Sequence, residues 1–389
     1  MNRIRFAFVT CLFAAIAAAC TAPPVRSAPA NIAVATPAKQ MRVKNVPADA
    51  VGGIFDPSVV DDGSGKLWMS YSTVRPSAKH GKVFPQIGTR IAYSTNGGVD
   101  WTDADVTVAP PEEVKLPPPH NKFDAVWVNE VSSLAYDSYA RPESRWKLVW
   151  HRYLRVYDGK SRDAPRLFEH GWISQRSAPS PTGPWSPERK LMVGKGYSDA
   201  NNNTIGPPEM RLDRLFPGRD QLGRCLVYTE PSMLVQKDGI YTAFHCATGR
   251  SDGRIVLLRC DHEFQSCTYQ GAFLEDDEAK RYGRDFDGFS ATEMVSRGAR
   301  TYLLVTPTRS PGSLYAGCLI FEIESLEKAK LKASDGKAAV VDKVNGDEGT
   351  FNGACGYIPG DVGGGVVFGQ FWPDDQQQFR LFRSGKKLD

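Results

Sequence analysis

Five stretches of the chain share one layout: a small or acidic residue, a strand, a turn, then a second strand rich in aromatics. They are "FDPSVVDDGSGKLWMSYS" from Phe55, "NEVSSLAYDSYARPESRWKLVWHRY" from Asn129, "YTEPSMLVQKDGIYTAFH" from Tyr228, "ATEMVSRGARTYLLVTP" from Ala291 and the looser "GACGYIPGDVGGGVVFGQF" from Gly353. Each of the first four is followed by a further strand able to pair with it, such as "RIAYSTNGGVDWT" and "RIVLLRCDHEFQSCTY", and "QQFRLFRS" serves the fifth. Turns such as "DDGSG", "KDG" and "NGG" supply the Gly, Asn and Asp that tight hairpins need for positive φ. The 36 glycines and 27 prolines are scattered among apolar runs, which suits short strands joined by turns. Three or four strands per unit, repeated at irregular spacings of roughly 60 to 100 residues, predict an all-β chain folded as a five-bladed β-propeller. An ordinary β-sandwich would need five ordered matches to arise by chance.

In a propeller the innermost strand of every blade starts beside the central axis. Acids at those starts therefore converge from distant sequence onto one funnel. Asp56, Glu130, Glu230 and Glu293 are the acids so placed, and they are the candidate catalytic residues. Taken singly, each has a structural alternative: Asp56 could cap a turn before Pro57, and Glu130 could be a hydrogen-bonded structural group. Their recurrence at strand starts carries the argument. A ring of carboxylates between aromatic walls suits glycoside cleavage, in which one carboxylic acid protonates the leaving oxygen and a carboxylate activates water or attacks the sugar. Crowded carboxylates also raise the pKa of one of their number, which keeps an acid protonated near neutral pH.

"FDPSVV…GKLWMSYS", "SQRSAPSPTGPWS" and "EPSMLVQKDGIYTAFH" resemble the five-bladed propeller glycosidases, most nearly glycoside hydrolase family 43 and its relatives, over most of the chain from about residue 50. The resemblance implies hydrolysis of arabinose, xylose, fructose or galactose linkages by an Asp base, an Asp that tunes pKa and orients substrate, and a Glu acid. It gives Asp56 the role of base. "TEPS" resembles the family's Glu-before-Pro motif, which makes Glu230 the acid and Glu130 the modulator. Counting blades instead makes Glu230 the modulator and Glu293 the acid. Either way a Glu stands where the family carries Asp. "STNGGVDW" (Ser94 to Trp101) resembles the sialidase Asp-box, which locks a hairpin at a propeller rim and is not catalytic. Some relatives hold calcium at the axis, and although "GACGYIPG" offers no obvious His or acid for it, calcium stays open; no other cofactor is expected.

Trp127 is a candidate for stacking on a sugar face, and Arg90 and Arg152 for contacting substrate; core packing and salt bridging are the alternatives. His151 and His245 end apolar strands and read as structural. A net charge of +4 over 389 residues, with no basic stripe among aromatics, excludes nucleic acid as an expected partner. The expected partner is a carbohydrate substrate.

Arg3 and Arg5 before "FAFVTCLFAAIAAA" form an export signal. Ala17, Ala18 and Ala19 before Cys20 resemble a bacterial lipobox, although Ala17 stands where a larger aliphatic residue is usual. The expected layout is a signal peptide over 1–19, a flexible Pro/Ala/Ser-rich tether over 20–48 following lipidated Cys20, and the propeller catalytic domain over 49–389. Membrane contact is then only through the N-terminal lipid, and the chain resides in the bacterial cell envelope, periplasmic or at the outer membrane. Six cysteines remain beyond the signal, an even count that favours disulfides in an exported chain. The expected pairing is between neighbours, and with no CxxC pair a zinc site is not expected. Two other functions stay open: an exo-sialidase-like hydrolase, which needs three arginines and a Tyr–Glu nucleophile pair, and a glycan-binding propeller without catalysis. A phosphorylase on this fold would need a basic phosphate pocket.

Overall fold

A computed structural model describes residues 38–388, apart from 117, 119–120, 158–165, 195–224, 248–252, 310–313, 345–350, 361 and 373–377. The expected export signal, Cys20 and most of the expected tether lie outside the described residues. The compact unit spans Pro37–Asp389. It is a five-bladed β-propeller, and its only described helices are two short 3₁₀ turns, Pro142–Ser144 and Asp276–Arg281.

The inner strands are Gly53–Asp61, Asp124–Tyr136, Val227–Gln236, Phe286–Arg297 and Asn352–Ile358. Outward from each, an antiparallel sheet builds in sequence order, for example Leu67–Ser77, Gly81–Ser94 and Trp101–Ala109 in blade 1. Each inner strand packs against the inner strand of the next blade, and the fifth packs against the first, so the ring closes. Both faces of every blade are therefore covered by a neighbour. That explains why inner strands such as "DAVWVNEVSSLAY" are buried along nearly their whole length rather than on alternate residues.

The hydrophobic core is divided into layers between blades. Trp68, Ile91, Trp146 and Trp150 fill the gap between blades 1 and 2. Phe273, Phe289, Leu303 and Phe321 join blades 3 and 4, and Leu304, Ile320, Tyr357 and Phe368 join blades 4 and 5. Each such side chain contributes roughly 1.5–3 kcal/mol by leaving water. Trp150 shows how polar atoms are reconciled with this layer: its indole N–H donates to Asn129 Oδ1 at 2.8 Å.

The seam between blades 5 and 1 uses the N-terminal stretch. Lys39–Gln40 pairs antiparallel with the outer strand of blade 5, and Val43–Lys44 pairs parallel with the outer strand of blade 1. Part of the stretch expected as tether thus belongs to the propeller. Its polar composition suits an edge strand with one open side, so composition alone marked it as linker. Gly53 crosses the same seam at φ 93°, where a Cβ would stand 1.9 Å from the Phe379 carbonyl oxygen.

The six cysteines from Cys225 onward pair with their sequence neighbours, as expected: Cys225–Cys246, Cys260–Cys267 and Cys318–Cys355. The last joins blade 4 to the inner strand of blade 5. It closes a loop over a sequence separation of 37 residues. Replacing both cysteines, Cys318→Ser with Cys355→Ser, is expected to cost about 2–4 kcal/mol of stability. Denaturant unfolding checks this; an unchanged midpoint would mean the bridge does not constrain the last blade.

Candidate active site

Every inner strand is interrupted by a β-bulge. The register to the second strand jumps between Phe55 and Ser58, Glu130 and Ser133, Thr229 and Ser232, Ser290 and Thr292, and Gly353 and Gly356. The residues left over are Asp56, Val131, Glu230, Ala291 and Ala354, one per blade, followed by a second residue in every blade but the fourth. Four of them have left-handed backbone: Asp56 at φ 53°, Val131 at 46°, Glu230 at 56° and Ala354 at 50°. For a β-branched valine that conformation is a genuine outlier, of the kind that clusters at functional sites. Val131, Ala291 and Ala354 meet in one apolar cluster with Tyr315 and Phe351, which puts the five bulges around the axis.

The bulge aims a backbone N–H at the acid of the preceding blade. Val131 N–H donates to Asp56 Oδ2 at 3.1 Å, and Ala291 N–H donates to Glu230 Oε2 at 2.6 Å. Where blade 4 carries Ala291 and no acid, the Ala354 N–H turns to the Thr306 hydroxyl. Asp56 and Glu230 are thus structural counterparts, two blades apart.

Their surroundings differ. Asp56 is buried, accepts a second bond on the same Oδ2 from Ser72, and leaves Oδ1 without a partner. Burial pushes its carboxyl well above the usual range; Glu130 and, more weakly, Glu230 push the same way, while Ser72 and the Val131 N–H pull it down. Glu230 accepts from Ser290 and Ala291 on Oε2 and from Tyr315 on Oε1. Beside Glu230 stands His245, bonded to Asp276 at 3.1 Å. Burial disfavours its charged form, but Asp276, with Glu230 beyond it, outweighs burial and raises its pKa. A Cβ at Gly253 would meet both side chains at 2.5 Å, so glycine is what lets this pair form.

Glu130 precedes its bulge position by one residue. It nonetheless reaches Asp56 electrostatically, and it accepts a bond from the Tyr153 hydroxyl at 2.7 Å. Glu293 stands elsewhere. It follows Ala291 by two residues and accepts from Ser58 Oγ, two residues past Asp56, at 3.0 Å. It has no part in shifting Asp56. Burial holds its carboxyl up at about 8, with the Ser58 bond pulling slightly down.

The structure therefore brings Asp56, Glu130 and Glu230 together, with Glu293 one layer deeper. It does not bring the other candidates to these acids. Arg90 is held within blade 1 by Asp103, at 2.9 and 2.7 Å. Arg152 bonds Glu112 and Glu188 and lies over the rings of Trp127 and Trp172, so Trp127 packs in the layer between blades 2 and 3. The Ser94–Trp101 hairpin lies at the opposite end of blade 1. Gly98 N–H donates to Ser94 Oγ there, and the Trp101 indole donates to the Gly98 carbonyl. Sequence reasoning missed Tyr315 and Tyr153. Tyr315 lies on a two-residue strand, Leu314–Tyr315, which gives no periodic signal. Among the described residues no group of three or more His, Cys, Asp or Glu is arranged to hold a metal ion.

No protein-family model matches the chain, and no curated protein matches it. Solved structures resemble it. A family 117 glycoside hydrolase produced by the marine bacterium Zobellia galactanivorans has a TM-score of 0.50 at 11% identity, over 89% of each chain. A GH32 β-fructofuranosidase of Bombyx mori gives 0.49 at 14% identity; 89% of this chain is covered, but only 61% of that enzyme's length. An endo-arabinase from Bacteroides thetaiotaomicron gives 0.48 at 12% identity, over 90% of this chain and 98% of its own. At 11% identity the likeness to the family 117 enzyme is one of fold.

Glu293 offers a test of the buried ring that needs no substrate. Its folded pKa, about 8, lies above the ordinary value of 4.5, so the native state keeps a proton that the unfolded chain gives up. Stability is therefore lost as pH rises between those values, by up to about 1.4 kcal/mol per pH unit, and the loss levels off above them. Denaturation of wild type and Glu293→Gln over a pH series is expected to show the variant gaining on wild type from about pH 5 to pH 8. Parallel pH curves would mean Glu293 is not buried in this way.

Proposed function

We propose that the chain is a glycoside hydrolase that cleaves a glycosidic bond by paired-carboxylate catalysis, with Asp56 and Glu230 as the pair. The observation that carries this reading is their equivalence: two acids occupy matching bulge positions on one axis, and each is met by the N–H of the following bulge. Following the family resemblance, Asp56 acts as base through its unpartnered Oδ1 and Glu230 as acid on the leaving oxygen. Glu130 sits beside Asp56 and raises its proton affinity, the effect expected of a modulating carboxylate. Sharing a fold with a family 117 glycoside hydrolase agrees with this assignment. The export signal and Cys20 support an envelope location with the propeller tethered by lipid, and hence a glycan outside the cytoplasm as substrate.

A sialidase-like hydrolase is the second reading, favoured by one observation: the Tyr315 hydroxyl bonds Glu230, the pairing that a tyrosine nucleophile needs. It would need arginines other than Arg90 and Arg152, which are held by acids of their own blades.

The test is a screen of the protein on arabinose-, xylose-, galactose-, fructose- and sialic-acid-linked glycans beside Asp56→Asn and Glu230→Gln. Each variant is expected to lose about 10²–10⁴-fold in kcat. Binding without turnover on every glycan would favour a lectin-like propeller. Activity surviving in Asp56→Asn would remove it as the base. A base must be ionised, and Asp56 is pushed well above its ordinary 3.8. The acid limb of kcat/KM against pH is therefore expected well above pH 4. A limb at or below pH 4 would contradict the role given to Asp56.

A further inference from the structure

We propose that Tyr315 is a positioning residue of this site: its hydroxyl fixes the second oxygen of Glu230 and so distinguishes that acid from Asp56, its structural counterpart. The proposal deepens the hydrolase reading and rests on it for its activity arm.

Asp56 and Glu230 receive matching support on one oxygen each. Asp56 Oδ2 takes a hydroxyl and the bulge N–H of the next blade, and Glu230 Oε2 does the same with Ser290 and Ala291. The pattern diverges at the other oxygen. Asp56 Oδ1 has no partner, whereas Glu230 Oε1 accepts from Tyr315. The phenol thus accounts for the difference in hydrogen bonding at the second oxygen of the two carboxyl groups.

Tyr315 is itself held from two blades. Its strand pairs with the second strand of blade 4 at Thr308. Its ring stacks on Phe351 of blade 5 at 4.3 Å, with 21° between planes. The next residues fasten the segment again: Ala316 N–H donates to the Pro307 carbonyl, Gly317 N–H to the Asn352 carbonyl, and Cys318 bonds Cys355. Burial, then Glu230 and Asp56, push the phenol well above its ordinary value, so it is a neutral donor. Glu130 is the third carboxyl that it feels, and Glu230 also acts on His245, which is bonded to Asp276. A fixed neutral hydroxyl at the acid holds the carboxyl in one orientation toward the leaving oxygen and gives it a donor throughout the proton transfer.

The experiment has two arms on the full chain. In the first, the Tyr315 hydroxyl proton, assigned by its loss in Tyr315→Phe, is observed by ¹H NMR at a single pH. A slowly exchanging downfield signal that moves or vanishes in Glu230→Gln is expected, because the phenol donates to that carboxyl. No such signal in wild type, or one unchanged in Glu230→Gln, overturns the proposal. In the second, Tyr315→Phe is assayed on whichever glycan the wild type cleaves, with its fold checked by near-ultraviolet circular dichroism. The expected outcome is a kcat about 10- to 100-fold lower with KM within about 2-fold, since the lost bond is to a charged group, and a displaced alkaline limb. Wild-type kcat and an unmoved pH profile overturn it. Failure of wild type on all glycans sinks the hydrolase reading, and the first arm still decides the link between Tyr315 and Glu230.

Discussion

The site depends on a backbone device, the β-bulge that every inner strand makes at the same depth. A bulge sets two residues against one, turns the local backbone and re-aims a side chain. Repeated in five blades, it turns one residue per blade toward the axis, and in blades 2, 4 and 5 it points that residue's N–H at the blade before. Two of those residues are acids, Asp56 and Glu230, and each is met by the N–H of the following bulge. The strained φ of Val131 is a consequence. Its backbone must adopt the bulge to serve Asp56, although a valine side chain resists it.

Strain of that kind persists only where the surroundings over-determine it. Here the surroundings are the layers between blades, which cover both faces of every inner strand, and the seam where the N-terminal stretch and Gly53 bind blade 5 to blade 1. The Cys318–Cys355 bridge and the Tyr315 segment reinforce one junction, between blades 4 and 5, that faces the acids directly. Rigidity in the frame is what allows carboxyl groups to be crowded without separating.

Asp56 and Glu230 were legible in the sequence because "DPS" and "EPS" mark the same place in two repeats, and a proline after an acid survives only where the ladder is interrupted. Glu130 was legible as an acid at a strand start, but not that it stands one residue short of its bulge. Strand alternation then sends it toward Tyr153 and Asp56 by a different route. Glu293 looked equivalent because "ATEM" begins a repeat. The bulge falls at Ala291, so the glutamate lies deeper, against Ser58. Arg90, Arg152 and Trp127 were picked out by residue type, yet their partners, Asp103, Glu112, Glu188 and Trp172, come from other strands that no local pattern ties to them. Tyr315 left no trace for the same reason: its importance comes from Glu230, 85 residues away. The neighbour disulfides were legible because each pair closes over adjoining strands or blades.

A crystal structure of Asp56→Asn with an oligosaccharide bound tests the account most directly. The account predicts the scissile linkage between residue 56 and the Glu230 carboxyl, with the sugar ring over Val131, Ala291 and Ala354. An oligosaccharide bound on another face, touching neither residue 56 nor Glu230, would contradict it.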